Sequence, residues 1–356
     1  MKMRFKKSII VLGLLVGLAT SCNKFLDVVP DNAPVLDQAF AMRTMAERYL
    51  VTCYSQLPQS FSMTNNPGWL SGDEFWLNSE STYSGYFNWR IALGNQNGDN
   101  PLLNAWDGNN GATNLWVGIT NCNTFLDNIM SVPDMTDEEK QMWISEVKFL
   151  KAYYHFLLMK QYGPVPIRDK NIPIYDSPGS SQLPRNSVDE CFNYIISMID
   201  ESIPNLMDDV TAVNSETGRI TKIVAKAMKA EILVFAASPL FNGNVGTEAS
   251  IKNNDGKELF NHSYSSEKWQ LAARACKEAI DFATEHGKKL HTWTPTGGFT
   301  PQVSTQFQMN IREAYNENTD NPEVLWLDTK STANGTIQGY FMLPRYTANA
   351  TSGTLL

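Results

Sequence analysis

The sequence predicts a mainly α fold: antiparallel helix pairs that carry long irregular loops, with little β structure. Three observations carry that prediction. Successive stretches repeat apolar residues at three- and four-residue steps, the period of a helix with a buried face. Helix start and stop signals bracket those stretches, with Thr136-Asp137-Glu138-Glu139 and Ser187-Val188-Asp189-Glu190 as capping boxes and Gly163, Pro204, Pro239 and Gly287 as terminators. Between the first two helical stretches, residues 57–114 lose the periodicity and are rich in Gly, Asn, Ser and aromatics.

The N-terminus reads as a leader. Lys2, Arg4, Lys6 and Lys7 precede the apolar run Ile9–Ala19, which is shorter than the ~20 residues a bilayer-spanning helix needs and suits a signal peptide. Small residues then lead to Cys22, as in a bacterial lipobox, although Ala19 stands where leucine is usual. The expected division is a signal peptide over 1–21, a lipidated leader over 22–32 and a helical domain over 33–356. Acyl chains on Cys22 would anchor the chain to a membrane, since several chains together hold where one does not.

A first helix is expected over Ala33–Gln56, with Phe40, Met45, Tyr49 and Tyr54 among its larger side chains. Leu115–Met130 follows, with Leu115, Ile119, Cys122, Leu126 and Ile129 in phase. After Pro133 a long helix runs from the first capping box to Tyr162. It has two stripes: Val147, Leu150, Tyr154 and Leu157 in one, Phe149, Tyr153 and Phe156 in the other. A helix apolar over so much of its girth must pack on more than one neighbour. One stripe is expected to face Leu115–Met130, and the other the alanine-rich pair that comes later. Pro164 and Pro166 forbid continuation past Gly163.

The second capping box opens a helix to about Ile203, and Asp208–Gly218 reads as a polar connection. Arg219–Ser238 carries Ala225, Ala227, Ala230, Ala236 and Ala237, small enough for close helix approach. Ser266–His286 closes the helical series through Trp269, Ala273, Cys276, Ile280 and Ala283. Beyond Gly287 the helical signal fades, and Val324–Leu327 reads as a short strand. Helix pairs with small residues and single aromatics at this spacing resemble tetratricopeptide packing.

Composition excludes some functions. With 29 basic and 37 acidic side chains the net charge is −8, and no basic block is present to neutralise phosphates, so nucleic acid is not the expected partner. Cys53, Cys122, Cys191 and Cys276 form no C-x-x-C pair, fall at or near apolar helical positions, and read as buried thiols rather than metal ligands. His155 lies amid an aromatic helix face and reads as a packed residue; His286 and His291 straddle a helix end and make a poor metal pair. Asn253–Gly256 has the flavour of a calcium loop without its spacing, and a turn is expected there. No metal and no cofactor is expected.

Residues 57–114 hold what a carbohydrate site needs: flat aromatic faces for the C–H surfaces of pyranose rings, and amides, carboxylates and Arg for the hydroxyls. Asp73, Trp76, Asn78, Trp89 and Arg90 are the candidate ligand-binding residues there, with Glu74 and Asn104 nearby and Trp293 a further candidate outside the loop. Trp106 and Trp116 lead into a helix and read as structural. A glycosidase would need two carboxylates flanking the bond, and Asp73-Glu74 are adjacent with no second pair in an aromatic loop. No G-x-S-x-G supports a serine hydrolase. The alternatives to a binder are a glycan-active enzyme and a helical scaffold that holds only another protein.

Three stretches, in this order behind the lipobox, resemble the SusD/RagB family of outer-membrane lipoproteins. They are Cys22–Pro30 (CNKFLDVVP), Glu146–Pro166 (EVKFLKAYYHFLLMKQYGPVP) and Gly218–Gly243 (GRITKIVAKAMKAEILVFAASPLFNG). Lys151 stands where the family commonly has Arg, and Trp116–Asn123 resembles the family's W-x-x-x-Y region without its tyrosine. The resemblance implies four tetratricopeptide-like helix pairs in a right-handed helical scaffold. It implies a lipid anchor in the outer membrane, with the protein facing the cell exterior. Its implied partner is a SusC-like TonB-dependent transporter, on which the protein sits as a lid, and its implied ligand is an oligosaccharide captured without chemistry. Family members are much longer, so the sequence reads as C-terminally truncated.

Overall fold

The structure, a computed structural model, describes residues 36–329 apart from 59–65, 67, 69–70, 73–84, 174–181, 211–212, 247–249, 296, 298–299 and 317–320. The expectations for the signal peptide, Cys22 and the leader therefore lie outside the described residues. Ten α-helices are present among the described residues: α1 (Leu36–Ala39), α2 (Arg43–Tyr54), α3 (Phe87–Ala92), α4 (Leu115–Asn128), α5 (Asp137–Tyr162), α6 (Val188–Ser202), α7 (Val213–Glu216), α8 (Lys222–Ala237), α9 (Ser266–Glu285) and α10 (Val303–Asn316). Single 3-10 turns, Ile129–Ser131 and Ile203–Asn205, extend α4 and α6. The described residues hold no strand, only the isolated bridges Asn104–Asn109 and Lys252–Glu258. The mainly α expectation holds.

Helix α5 is the axis of the molecule. Its 26 residues span roughly 39 Å at 1.5 Å each. It opens on the Thr136 side chain, which accepts from the Glu139 N–H, and closes on Gly163, whose φ of 69° suits glycine. The expected capping box is only half made. Glu139 turns instead to Arg43 Nε at 2.8 Å, because a tertiary partner is in reach. At Ser187 both halves of the box form.

Helix α4 packs along one flank of α5, α2 crosses both, and α6 takes the other flank. The second stripe of α5 meets Trp326 through Phe149 and Tyr153, and meets the alanine-rich α8 through Phe156, while Lys151 and His155 face Tyr194 of α6. The alanine-rich α8 packs mainly on α9 and reaches α5 through Phe156 and Phe235, whose rings are 5.6 Å apart. Buried Ala225, Ala230, Ala236 and Ala237 of α8 and Ala272 and Ala275 of α9 let those two helices close on each other.

Several expected boundaries differ. The first helix breaks at Phe40–Met42, because Phe40 turns inward onto Tyr49 and Phe125. The Arg43 N–H is then satisfied by Asp134 Oδ1 at 2.6 Å. The polar connection after α6 contains the single turn α7. Val324–Leu327 is irregular rather than a strand. Trp326 packs on Phe149 and Tyr153 and donates Nε1–H to the Gly218 carbonyl at 3.1 Å, so its apolar character serves a tertiary contact. Past Gly287 the chain is still helical in α10, where Val303, Phe307 and Ile311 repeat at four-residue steps. Cys53, Cys122 and Cys191 are buried free thiols, whereas Cys276 is only half-buried.

One buried polar group ties three elements together. Glu146 of α5 has no exposed surface, yet its carboxylate accepts from Tyr54 Oη of α2 at 2.5 Å and from Arg219 just before α8, through Nη2 and through Nε at 3.2 Å. Tyr54 Oη in turn accepts from the Ile220 N–H at 3.0 Å. Burial pushes the Glu146 carboxyl above its ordinary range, and the Arg219 and Tyr54 hydrogen bonds pull against that shift.

Candidate functional site

The sequence places the ligand-binding candidates before α4, and the described part of that region is a hydrogen-bonded lattice. Asn88 Nδ2 donates to the Asn66 carbonyl at 3.0 Å, and Ser71 Oγ donates to the Asn88 carbonyl at 3.0 Å, so α3 is clipped to the loop ahead of it. Gln96 then pairs with Leu102 through both its amide atoms, at 3.0 and 2.7 Å. Asn97 Oδ1 accepts from the backbone N–H groups of Asp99 and Asn100. Asn110 Nδ2 donates to Asn100 and to the Pro101 carbonyl, each at 2.8 Å. Asparagine recurs here because its short amide can mimic a backbone turn.

The lattice presents Trp106. Its backbone N–H is shared between Asn104 Oδ1 and Tyr162 Oη, both at 3.1 Å, and Tyr162 Oη donates to Asn104 Oδ1 at 3.2 Å. The Trp106 ring meets Trp116 edge-on at 5.0 Å and Tyr162 edge-on at 5.4 Å, and Trp106 stays 42% exposed. Those geometries suit aromatic quadrupoles. Trp116, at the start of α4, continues the cluster inward to His155 at 6.2 Å, and His155 meets Tyr194 at 5.2 Å.

Beneath the aromatics lies a charged floor. Lys151 of α5 is buried, and its Nζ donates to the Asp169 carbonyl at 2.6 Å and to Asp169 Oδ1 at 2.9 Å. Tyr194 Oη donates to the same Oδ1 at 3.0 Å. The Lys151 hydrogen bond holds the Asp169 carboxyl below its ordinary range. His155 is buried and its pKa is lowered to about 4, chiefly by desolvation. It is packed, as the sequence suggests.

The candidates divide sharply. Asp73, Trp76 and Asn78 lie outside the described residues. Trp89 is on α3 and only 1% exposed, so its ring offers no open face, contrary to the expectation of an exposed loop aromatic. Arg90, beside it, is half-buried. Asn104 is buried and spends its side-chain oxygen on Trp106 and Tyr162. Trp293 is half-buried, with its backbone held by Asn310 Oδ1 at 2.9 Å and Gln306 Nε2 at 2.8 Å of α10. The structure thus brings Trp106, not Trp89, to the surface. The signal was present: Trp106 sits between Asn104 and Asp107-Gly108, turn chemistry that lifts a side chain from the core. No group of three His, Cys, Asp or Glu that could hold a metal occurs among the described residues, and none of their helices is long and apolar enough to cross a membrane.

Comparison with known proteins bears on this arrangement. A SusD-like family, described as starch-binding and associating with the outer membrane, matches residues 24–234. A SusD-like protein of Bacteroides ovatus is 21% identical over 255 residues, which is 71% of this chain and 43% of that protein. The solved structure of a protein named BT4246 superposes with a TM-score of 0.69 at 27% identity, covering 85% of this chain and 52% of the other. A laminarin-binding SusD-like protein shares the fold with a TM-score of 0.50 at 18% identity, covering 74% and 47%. The chain spans about half the length of these relatives. The matched residues take in α2, α4, α5 and α6 together with the Glu146–Arg219 tie and the loop that carries Trp106, and on that ground the chain belongs to the SusD-like family.

Proposed function

We propose that the protein is a cell-surface binder that captures an oligosaccharide and delivers it, without chemistry, to a SusC-like TonB-dependent transporter. It is held at the outer membrane by lipid on Cys22 and faces outward. The observation that carries the reading is the exposed Trp106, an open aromatic face set edge-on against Trp116 and Tyr162 in an asparagine-rich loop. Asp73, Trp76, Asn78 and Arg90 belong to the same stretch of chain and are proposed to complete the site; Trp293 is proposed at its edge. The starch-binding description of the family and the laminarin-binding relative support a glycan as the ligand class.

Trp106→Ala is the test. Because the ring is nearly half exposed, its loss is expected to weaken retention on polysaccharide affinity gels while moving the melting temperature by no more than a few degrees. Retention equal to the parent on every polysaccharide that the parent binds would remove Trp106 from the site. Incubating the parent with the same polysaccharides checks the absence of chemistry, since released reducing ends would identify an enzyme. Cys22→Ser is expected to move the protein from the membrane fraction to the soluble fraction.

A further inference from the structure

Arg168 is a cation without an anion. Its neighbour Asp169 is taken by Lys151 and Tyr194. Arg168 makes no ion pair among the described residues, and its Nε is buried with no hydrogen-bond acceptor. The residue is nonetheless held in place. Its backbone N–H donates to His155 Nε2 at 3.2 Å, its carbonyl accepts from Asn123 Nδ2 at 3.4 Å, and its guanidinium lies 5.4 Å from the centre of the Trp116 ring. Trp116 Nε1 is likewise buried without an acceptor. Trp106, the exposed ring, stands edge-on to the same Trp116.

Both of those N–H groups are closed off by protein, so what Arg168 offers a ligand is the Nη end of its guanidinium, next to the ring on which Trp106 rests. A guanidinium over an aromatic face, with no described carboxylate paired to it, is suited to recognising an anion through its two Nη donors. Lysine in its place would offer an anion a point charge rather than paired donors. A neutral glycan would leave the charge unused.

We propose that Arg168, over the Trp116 ring against which Trp106 stands, is an anion subsite that selects acidic oligosaccharides, through a carboxylate or a sulfate carried by the sugar next to the one on Trp106. This rests on the reading of the protein as a glycan binder. It adds that the ligand class is charged, and it assigns specificity to a residue outside the candidate loop.

The experiment is calorimetric titration of the full chain and of Arg168→Gln with three probes: tetragalacturonate for carboxylate, a sulfated chondroitin tetrasaccharide for sulfate, and maltotetraose as the neutral control. The parent is expected to bind one acidic probe at least ten-fold more tightly than the neutral one, and to lose that preference as salt rises. Arg168→Gln is expected to remove the preference while circular dichroism and melting temperature stay near the parent's, and Arg168→Lys to restore only part of it. Tighter binding by tetragalacturonate assigns the carboxylate, and tighter binding by the chondroitin probe assigns the sulfate. Binding of maltotetraose as tight as that of either acid overturns the anion subsite and leaves the glycan reading standing. Acidic binding that Arg168→Gln does not weaken also overturns it. Failure of the parent to bind either acidic probe overturns the anion subsite, whereas the glycan reading is decided by retention on the polysaccharide gels.

Discussion

His155 shows how one side chain can carry pH dependence without taking part in binding. The Arg168 N–H donates to its Nε2, so the ring proton must sit on Nδ1, which lies 2.8 Å from the Lys151 carbonyl. A second proton would break the Arg168 bond and bury a cation beside Lys151 and Arg168, with only Asp169 to oppose it. Burial is the largest cause of the lowered pKa of about 4, and the two positive neighbours add to it. The ordinary value is about 6.5. Because the folded pKa is depressed, the stabilisation from a neutral His155 is complete above about pH 6.5 and fades as pH falls toward 4. The loss by pH 4.5 is on the order of 2–3 kcal/mol. Urea unfolding at pH 7 and pH 4.5 should show that much more loss in the parent than in His155→Gln. Equal pH dependence in the two would refute the assignment. At this scale the sequence was partly legible. The aromatic neighbours of His155 along α5 marked it as packed, whereas only the turn residues around Trp106, Asn104 and Asp107-Gly108, set it apart locally from buried Trp89. What decides between them is which ring Tyr162 and Trp116 can reach, and that contact spans 56 residues of chain to Tyr162.

At the scale of elements, Gly118 sets how α2, α4 and α5 meet. A Cβ built there would stand 2.8 Å from the Tyr154 ring and 3.1 Å from Gln56 Cβ. Tyr154 cannot give way. Its ring is buried, and its hydroxyl donates to the Cys53 carbonyl of α2 at 2.5 Å. In an open helix, Gly→Ala stabilises by about 1 kcal/mol through propensity. Here overpacking opposes that gain and is worth roughly 1–3 kcal/mol, so Gly118→Ala is expected to destabilise. Thermal unfolding decides the sign, and a raised melting temperature would show that α2 and α4 can part at no cost. Helix positions were legible wherever a cap and a 3.6-residue period agreed, as at Thr136 and Ser187. Among the features that were not legible are the break at Phe40, which obeys a contact with Phe125, and the irregularity of Val324–Leu327, whose Trp326 answers to α5. Both are tertiary overrides of a local pattern.

Across the whole molecule, burial peaks at α5 and falls steeply from there toward α10. Helix α5 buries 14 of its 26 residues, including Trp143, Phe149, Tyr154 and Phe156. Helix α9 buries only Ala272 and Ala275. In α10 none of the side chains from Val303 to Ala314 is buried, and Val303, Phe307 and Ile311 stand open. Intrinsic propensity alone does not hold a helix of 14 residues in water. The α10 helix is tied down mainly by polar bonds: Gln306 to the Trp293 carbonyl, Asn310 from the Trp293 N–H, and the Ala314 carbonyl from Asn321. Local stability follows the density of buried apolar contacts, so the chain is expected to open from this end while α5 exchanges only by global unfolding. Hydrogen exchange followed by mass spectrometry should find amides of α10 exchanging at least ~100-fold faster than those of Val147–Met159, with α9 between them. Equal protection of α10 and α5 would mean that something other than the contacts described here holds the C-terminal helix. The expected order also separates the two jobs of the chain. Trp106, Trp116 and Arg168 are anchored to the slow-opening α4 and α5, so a ligand there meets a surface already organised before it binds, and loss of α10 should lower glycan affinity only by what Trp293, which α10 holds, contributes at the edge.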